Sequence, residues 1–289
     1  SDVYKRQTLL GLKNWRLHAV IFCFTFILFP IIGVGLKYAT IGWLGQGLAL
    51  GLLYLTLVPG TVQSSIAFTS VAHGNVAGAI VASSLSNILG VFLTPLLVML
   101  TMATTGDVHI TGRSILDIFL QILLPFIIGQ LLHKYLGPGL NRHPILTKTV
   151  DRGTIWINVY TAFSQAVVEG VWMRVTALHL LALVGICIAV VSLVLVLSWC
   201  MAKGLGFNRE DCIAAQFCGS KKSLSSGIAM GAVLFAGSTG ELSAGILMLP
   251  LMLFHLFQLL ICAVLAGRYG RQWEREHTHA HANDQGAAQ

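Results

Sequence analysis

The chain has 289 residues, of which 55% are apolar and only 10% are charged, and its mean hydropathy is +0.78. A soluble domain carries about 25% charged residues, so this composition excludes an ordinary soluble globular protein. The net charge of +7 comes from basic residues placed between apolar blocks and in the tail, which favours membrane topology over nucleic-acid binding. We therefore expect a multi-pass protein of the lipid bilayer with no nucleic-acid partner.

The two ends of the chain are set apart from a predicted membrane domain at 8–272. Residues 1–7 resemble one reading frame of a common sequencing adapter, so we expect the natural sequence to start near Thr8, with part of it missing before that point. Residues 273–289 are polar and include three alternating histidines, and they are predicted to form a disordered tail.

Eight apolar blocks, each long enough to cross a bilayer core of about 30 Å as a helix, follow one another along the chain. The predicted spans are 17–36, 42–72, 76–101, 114–133, 153–172, 176–201, 211–235 and 244–266. The short alternating segments of a transmembrane β-barrel do not occur. The predicted fold is an all-α polytopic membrane protein, and its six cysteines show no metal-ligand spacing, so we expect no cofactor.

The basic residues between the spans are distributed unevenly, which predicts the orientation. One side collects Lys13, Arg16, Lys134, Arg142, Lys148, Arg152, Lys203, Arg209, Arg268, Arg271 and Arg275, and the other side has only Lys37, Arg113 and Arg174. By the positive-inside rule, both the visible N-terminal end and the C-terminal tail are expected in the cytoplasm.

Polar residues and helix breakers interrupt the second and the seventh span. The candidate site residues in these two interruptions are Pro59, Gly60, Gln63, Ser64 and Ser65 in the first, and Gly219, Ser220, Lys221, Lys222, Ser225, Ser226 and Gly227 in the second. Each interrupted span is followed by a span that contains a proline, Pro95 in the first case and Pro250 in the second. This layout predicts inverted repeats at 8–101 and 114–267 whose discontinuous helices cross and form the substrate and ion sites. Alternatively, proline and glycine only kink two packed helices.

Lys221 and Lys222 are the one adjacent basic pair inside an apolar block. A lysine at a helix centre costs about 2.5 to 3.5 kcal/mol on insertion scales, so the pair calls for a reason. The two side chains could hold an anionic substrate, replace a bound cation, or load and release a proton. Alternatively, the two lysines lie in a loop at the cytoplasmic surface and have none of these roles.

Three motifs of the first half resemble the bile acid:sodium symporter family, within the bile acid/arsenite/riboflavin transporter superfamily. They are Pro59-Gly60-Thr61, His73-Gly74-Asn75-Val76-Ala77 and Leu93-Thr94-Pro95-Leu96. Tyr160-Thr161-Ala162-Phe163-Ser164, Phe217-Cys218-Gly219-Ser220-Lys221-Lys222-Ser223 and Leu249-Pro250-Leu251-Met252 are similar to a bacterial branch related to the seventh human bile-acid carrier.

The resemblance implies ten spans in two repeats of five, a panel domain and a core domain, and therefore a chain that lacks its first two helices. It also implies sodium ligands at Ser64, Ser65 and Ser83, with Thr25 reaching in from the first visible span. Sodium-coupled relatives carry a carboxylate at the second break, whereas this sequence has no acid between Asp211 and Glu241.

The predicted function is therefore a secondary transporter that moves a small organic anion by alternating access. Sodium and protons both stay open as the coupling ion, and the oligomeric state is not predicted. A non-transporting sensor of ion homeostasis is the alternative. A membrane-embedded enzyme is less favoured, because the chain has no HExxH motif, no GxSxG motif and no paired acids at membrane depth.

Overall fold

The computed structural model describes residues 14–103, 175–235 and 242–286, together with position 238 and scattered positions between 120 and 170. The predicted spans 114–133 and 153–172 are described only at scattered positions, and residues 1–7 lie outside the described residues. The structured elements of the described part are all helical. This confirms the predicted helical class, while the number of eight spans and the inverted repeat stay predictions.

Eight helices are defined in the three continuous parts of the description. They are α1 (Trp15–Leu44), α2 (Gln46–Leu57), α3 (Gln63–Val71), α4 (Val76–Val98), α5 (Ala177–Gly204), α6 (Arg209–Gly219), α7 (Leu224–Leu234) and α8 (Ala244–Gly286). Helices α1, α4, α5 and α8 contain apolar runs long enough to cross a membrane. Helices α2 and α3, like α6 and α7, are short pieces separated by non-helical residues at the two predicted interruptions.

The first helix is longer than the sequence predicts. It extends through Leu44 rather than ending at 36, so Lys37 lies inside it and is only 3% exposed, instead of sitting in a loop outside the span. Apolar residues continue on both sides of this lysine, and a single long amphipathic side chain does not end a helix.

Short polar side chains define where several helices begin. Asn14, Asn75 and Asn208 each precede a helix, and each side chain accepts a hydrogen bond from a backbone N–H three residues further on. Asparagine is one of the best residues for this position because its oxygen satisfies a donor that the helix leaves unpaired. The starts of α1, α4 and α6 therefore follow from the local sequence.

Helix α2 forms the centre of the described core and is buried along nearly its whole length. It packs mainly against α1 and α8. A Cβ atom on Gly51 would lie 2.7 Å from the backbone oxygen of Leu247 in α8, and one on Gly33 in α1 would overlap the side chain of Thr56. Glycine at these points lets the backbones approach closely, as is common where helices pack in membranes.

A π-helical turn at Phe24–Leu28 interrupts the regular pattern of α1. The N–H of Phe29 bonds to the carbonyl of Phe24, so it does not reach Thr25, its usual α-helical partner. The next residue is Pro30, which has no N–H to offer. The carbonyl of Thr25 is therefore released from the helix and is available to another donor.

The C-terminal segment differs from the predicted disordered tail, because α8 is helical through Gly286 and not only to 272. The ring of Trp273 stacks on His73 with centroids 3.9 Å apart and an angle of 12°. Gln272 also donates a hydrogen bond of 2.9 Å to Glu276, one helical turn later. These contacts and the helix formers Gln272, Glu274 and Glu276 support the first turns beyond the apolar block.

Asp211 ties together the ends of three helices. Its carboxylate accepts hydrogen bonds from the amide nitrogens of Asn14 at 2.7 Å and Asn75 at 2.6 Å, the same residues whose oxygens cap α1 and α4. The backbone N–H of Asn75 also donates to the carbonyl of Glu210 at 3.0 Å. The start of α6 is thus fixed against both capped helices.

Replacing Asp211 with alanine is expected to lower the free energy of unfolding by about 2–4 kcal/mol, since two hydrogen bonds to a charged acceptor are lost. The measurement is thermal or denaturant unfolding of the purified protein in detergent. Glu210→Ala is the matched control: its side chain is exposed and its carbonyl contact with Asn75 survives the change. Equal effects of the two substitutions would contradict this account.

Candidate functional site

The two interrupted regions lie against each other. Helix α2 ends at Leu57 and α3 begins at Gln63, while α6 ends at Gly219 and α7 begins at Leu224. The N–H of Ser223 in the second break donates to the carbonyl of Pro59 in the first at 2.8 Å. The candidate residues of the two breaks therefore meet in space, although more than 150 positions separate them along the chain.

The first break releases five consecutive carbonyls, those of residues 56–60, and each accepts a hydrogen bond from elsewhere in the chain. In order, the donors are Lys222 Nζ at 2.8 Å, Thr94 Oγ1 at 2.8 Å, Lys222 Nζ at 2.9 Å, Ser223 N at 2.8 Å and Asn87 Nδ2 at 2.7 Å. Backbone groups at membrane depth must find such partners, because lipid offers none. One ammonium supplies two of the five bonds.

Lys222 has a side chain that is 0% exposed. Its Nζ atom donates to three backbone carbonyls, those of Thr25 at 2.9 Å, Thr56 at 2.8 Å and Val58 at 2.9 Å. Nζ also lies 4.2 Å from the ring centroid of Phe29, within the range of a cation–π interaction. The surroundings of this ammonium are those of a bound cation: neutral oxygens and an aromatic face.

Lys221 is also 0% exposed, and it points to a separate place. Its Nζ atom donates to the carbonyl of Ser64 at 2.8 Å and lies 3.8 Å from the ring centroid of Phe68 and 5.5 Å from that of Phe217. Within the described ranges, neither ammonium contacts a carboxylate. The pair is buried inside the protein, so the surface-loop alternative does not hold.

Gln258 of α8 holds the backbone of the second break. Its Oε1 accepts from the N–H of Lys222 at 2.8 Å, and its Nε2 donates to the carbonyl of the same residue at 2.7 Å. His255, one turn earlier on α8, places Nδ1 2.7 Å from Gln258 Nε2 and 3.3 Å from the Lys222 carbonyl. Both side chains fix the segment that carries the lysine pair.

Asn87 of α4 joins the two breaks. Its Nδ2 donates to the carbonyl of Gly60 at 2.7 Å, and its Oδ1 accepts from the hydroxyl of Ser226 at 3.0 Å. It also borders a cavity of about 310 Å³ between the breaks. The residues that line this cavity are Thr61, Val62, Gln63, Ser64, Asn87, Ser223, Leu224, Ser225, Ser226, His255 and Leu259.

The start of α3 and the start of α7 both border this cavity. No side chain caps α3 at Val62, whereas Ser223 caps α7 by accepting from the N–H of Ser226 at 3.3 Å. Helix N-termini carry unpaired N–H groups and the positive end of the helix dipole. The cavity can therefore accept negative charge, and none of its lining residues carries a carboxylate or an ammonium.

The sequence-predicted residues divide into those that border the cavity and those that pack behind it. The first group is Gln63, Ser64, Ser225 and Ser226, and the second is Thr25, Pro59, Gly60, Ser65, Ser83, Gly219, Ser220, Lys221, Lys222 and Gly227.

The three serines of the expected sodium set each bond to other protein groups. Ser64 and Ser65 both contact the hydroxyl of Thr61, at 2.7 and 3.1 Å, and the hydroxyl of Ser65 also donates to the carbonyl of Phe217 at 3.2 Å. Ser83 is buried and bonds instead to the sulfur of Cys218 at 3.5 Å. The carbonyl of Thr25 faces an ammonium rather than these hydroxyls.

The remaining residues of the second break have packing roles. The hydroxyl of Ser220 donates a hydrogen bond to the carbonyl of Gln216 in the last turn of α6. Gly227 accepts a 2.6 Å hydrogen bond from the hydroxyl of Tyr54, and a Cβ atom there would lie 2.3 Å from a methyl group of Leu251.

Sequence reasoning missed His255 and Gln258, and it gave Asn87 no role at the breaks. The signal for the first two was a polar pair three residues apart inside the apolar block of α8, a spacing that places both on one helix face. Polar residues at membrane depth are commonly functional, so this pair could have been selected by the same criterion as the lysines.

Comparison with known proteins agrees with the helical membrane fold. The sequence model of the SBF-like CPA transporter family matches residues 3–271. A Pseudomonas aeruginosa protein, "Uncharacterized protein PA2026", is 48% identical over 272 residues, covering 94% of this chain and 80% of its own length.

Two further relatives carry transporter names. The Escherichia coli K12 protein "Putative symporter YfeH" is 45% identical over 278 residues, covering 95% of this chain and 81% of the relative. Sodium/bile acid cotransporter 7 of Xenopus tropicalis is 27% identical over 257 residues, covering 88% and 74%. These matches confirm the resemblance seen in the motifs, and the chain belongs to the SBF-like CPA transporter family.

Proposed function

We propose that the protein is a secondary transporter of a small organic anion, which binds in the cavity between the two breaks, and that the buried ammoniums stand where a coupling cation would bind. The observation that carries this proposal is the set of three carbonyls, from Thr25, Thr56 and Val58, around Lys222 Nζ. Sodium is then not required for binding of the substrate, because a lysine side chain of the protein supplies the positive charge.

The chemistry of the Lys222 site supports replacement of a cation. Carbonyl oxygens are ligands for hard cations as well as acceptors for an ammonium, and the two ions carry the same charge. A second positive ion beside the ammonium would be repelled, since two unit charges 4 Å apart interact by about 4 kcal/mol at an effective dielectric constant of 20. The lysine and a sodium ion therefore exclude each other at this position.

The charge around the cavity supports an anionic substrate. Two helix N-termini border it, and serine hydroxyls and the amide of Gln63 supply hydrogen-bond donors. The ammoniums of Lys221 and Lys222 lie behind the breaks and, within the described part of the chain, no carboxylate offsets them. Discontinuous helices that present their N-termini to an anion are a known transporter arrangement.

Alternating access fits a site at the meeting point of two broken helices, where movement of a core against a panel would expose the cavity to either side in turn. In this proposal the chain has two inverted repeats, and both of its ends face the cytoplasm of a bacterial inner membrane. The transporter names of the relatives support carrier activity but leave the solute of this protein to experiment.

The test is flux into proteoliposomes with a panel of radiolabelled acetate, lactate, benzoate, taurocholate and phosphate, with sodium fully replaced by choline in one series. Uptake of at least one anion is expected, with rates that change less than about twofold on removing sodium. Strict sodium dependence would overturn the cation-replacement role. Saturable binding without flux would favour the sensor alternative and overturn the carrier.

A further inference from the structure

We infer that His255 is a neutral hydrogen-bond donor to the bound anion through its Nε2–H group, held in that tautomer by Gln258. This inference rests on the proposed anion site and adds a specificity-determining residue to it. His255 borders the cavity between the breaks, and it is the one lining residue with a titratable ring. His255 on α8 and the starts of α3 and α7 border the same cavity, so an anion bound there would be able to contact all three elements.

The tautomer follows from the hydrogen bonds of Gln258. Its Oε1 accepts from the N–H of Lys222, which fixes the orientation of the amide, so Nε2 is the atom that faces His255. An amide nitrogen only donates, and Nδ1 of the ring lies 2.7 Å from it. The carbonyl of Lys222 also lies near Nδ1, but at 3.3 Å, and it already accepts from Gln258 Nε2 at 2.7 Å. The shorter contact with Gln258 favours Nδ1 as an acceptor, and in a neutral imidazole the proton is then on Nε2.

The Nε2 atom has no protein partner among the residues that the structure describes, since the ring contacts Gln258 and Lys222 through Nδ1 alone. A donor that borders a cavity without a partner is available to its contents. An oxygen of a carboxylate or another oxyanion accepts strongly from such a group, and a cation or an apolar solute cannot.

The charges near the ring disfavour the imidazolium form. The ammoniums of Lys221 and Lys222 belong to the second break that the ring contacts, and neither α3 nor α7 carries a charged residue. A proton on Nδ1 would also displace the N–H of Gln258 that points at it. His255 is thus arranged to keep one protonation state and to donate a hydrogen bond from Nε2, and not to carry protons.

Nitrogen-15 NMR of histidine-labelled protein in nanodiscs tests the tautomer without any ligand, with His255→Gln used to assign the signal. The neutral Nε2–H form is expected unchanged from pH 6 to 8, and Gln258→Leu is expected to yield a mixture of tautomers. An imidazolium signal in this range, or a protonated Nδ1 in the neutral form, would overturn the inference.

The binding role is tested by a matched pair, His255→Gln and His255→Leu, with the same five anions in proteoliposomes. Glutamine places an N–H close to the position of Nε2 and should retain uptake within a few fold, whereas leucine should raise KM about tenfold or more. Equal loss in both variants, or no loss in either, would overturn the donor role. Absence of flux for all five anions in the wild type, with the expected tautomer present, would instead refute the proposed function.

Discussion

Replacing Lys222 with alanine is expected to destabilise the protein by about 3–5 kcal/mol, because the three hydrogen bonds that its ammonium donates to backbone carbonyls are lost. Three carbonyls, from Thr25, Thr56 and Val58, would lose their donor together, and an unsatisfied buried polar group costs about 1–3 kcal/mol. Water or ions entering the vacated space offset part of that sum. The measurement is the midpoint of thermal unfolding in detergent.

The same variant should become responsive to sodium. Alanine leaves a space lined by three oxygens, which a sodium ion can fill, and a ligand that binds only the folded state raises its stability. We expect the unfolding midpoint of Lys222→Ala to rise by several degrees between choline chloride and sodium chloride at equal ionic strength. The wild type, whose site is already filled by the ammonium, should shift by less than one degree.

Two further variants make this experiment decisive. Lys222→Met keeps the volume but not the donor, so it should be destabilised without any response to sodium. Lys203→Ala removes an exposed lysine of α5 and should change neither quantity. A Lys222→Ala protein with wild-type stability, or one that sodium does not stabilise, would contradict the idea that this ammonium occupies a cation position.

The positions of both breaks could be predicted from the sequence because the signals are local. Proline, glycine and serine close together weaken a helix locally, and the structure places the non-helical residues at 58–62 and 220–223, inside or beside the predicted interruptions. Pro95 and Pro250, by contrast, lie within continuous helices. The caps Asn14, Asn75 and Asn208 are similarly local. The predicted helix ends were wrong mainly at α1 and α8, where amphipathic residues allow a helix to continue past its apolar block.

The role of the lysines could not be chosen from the sequence, because their partners lie far away in the chain. The carbonyls around Lys222 Nζ are 164, 166 and 197 positions distant. The local sequence also gives no direct sign of the acceptor. The carbonyl of Thr25 is available to Lys222 only because the π turn and Pro30 together remove both of its helical donors. Which of three roles a buried ammonium takes depends on such tertiary contacts.

Asn87→Asp is expected to lower anion uptake by about a hundredfold while the protein stays folded. The change removes the donor that Asn87 offers to the carbonyl of Gly60 at 2.7 Å and sets a carboxylate oxygen against it. It also introduces a negative charge into the wall of a cavity whose lining has none. An anionic substrate would meet that charge directly, and like charges in a low-dielectric site repel by several kcal/mol.

Asn87→Ala separates the two effects, since it loses both hydrogen bonds of the bridge to Gly60 and Ser226 without adding charge. We expect uptake to fall about tenfold for alanine and further for aspartate, with similar unfolding midpoints in the two variants. The comparison is made with the anion from the panel that the wild type carries fastest. The added carboxylate should repel an anion in the cavity. If the aspartate variant transports this anion as well as the alanine variant does, the cavity does not bind negative charge.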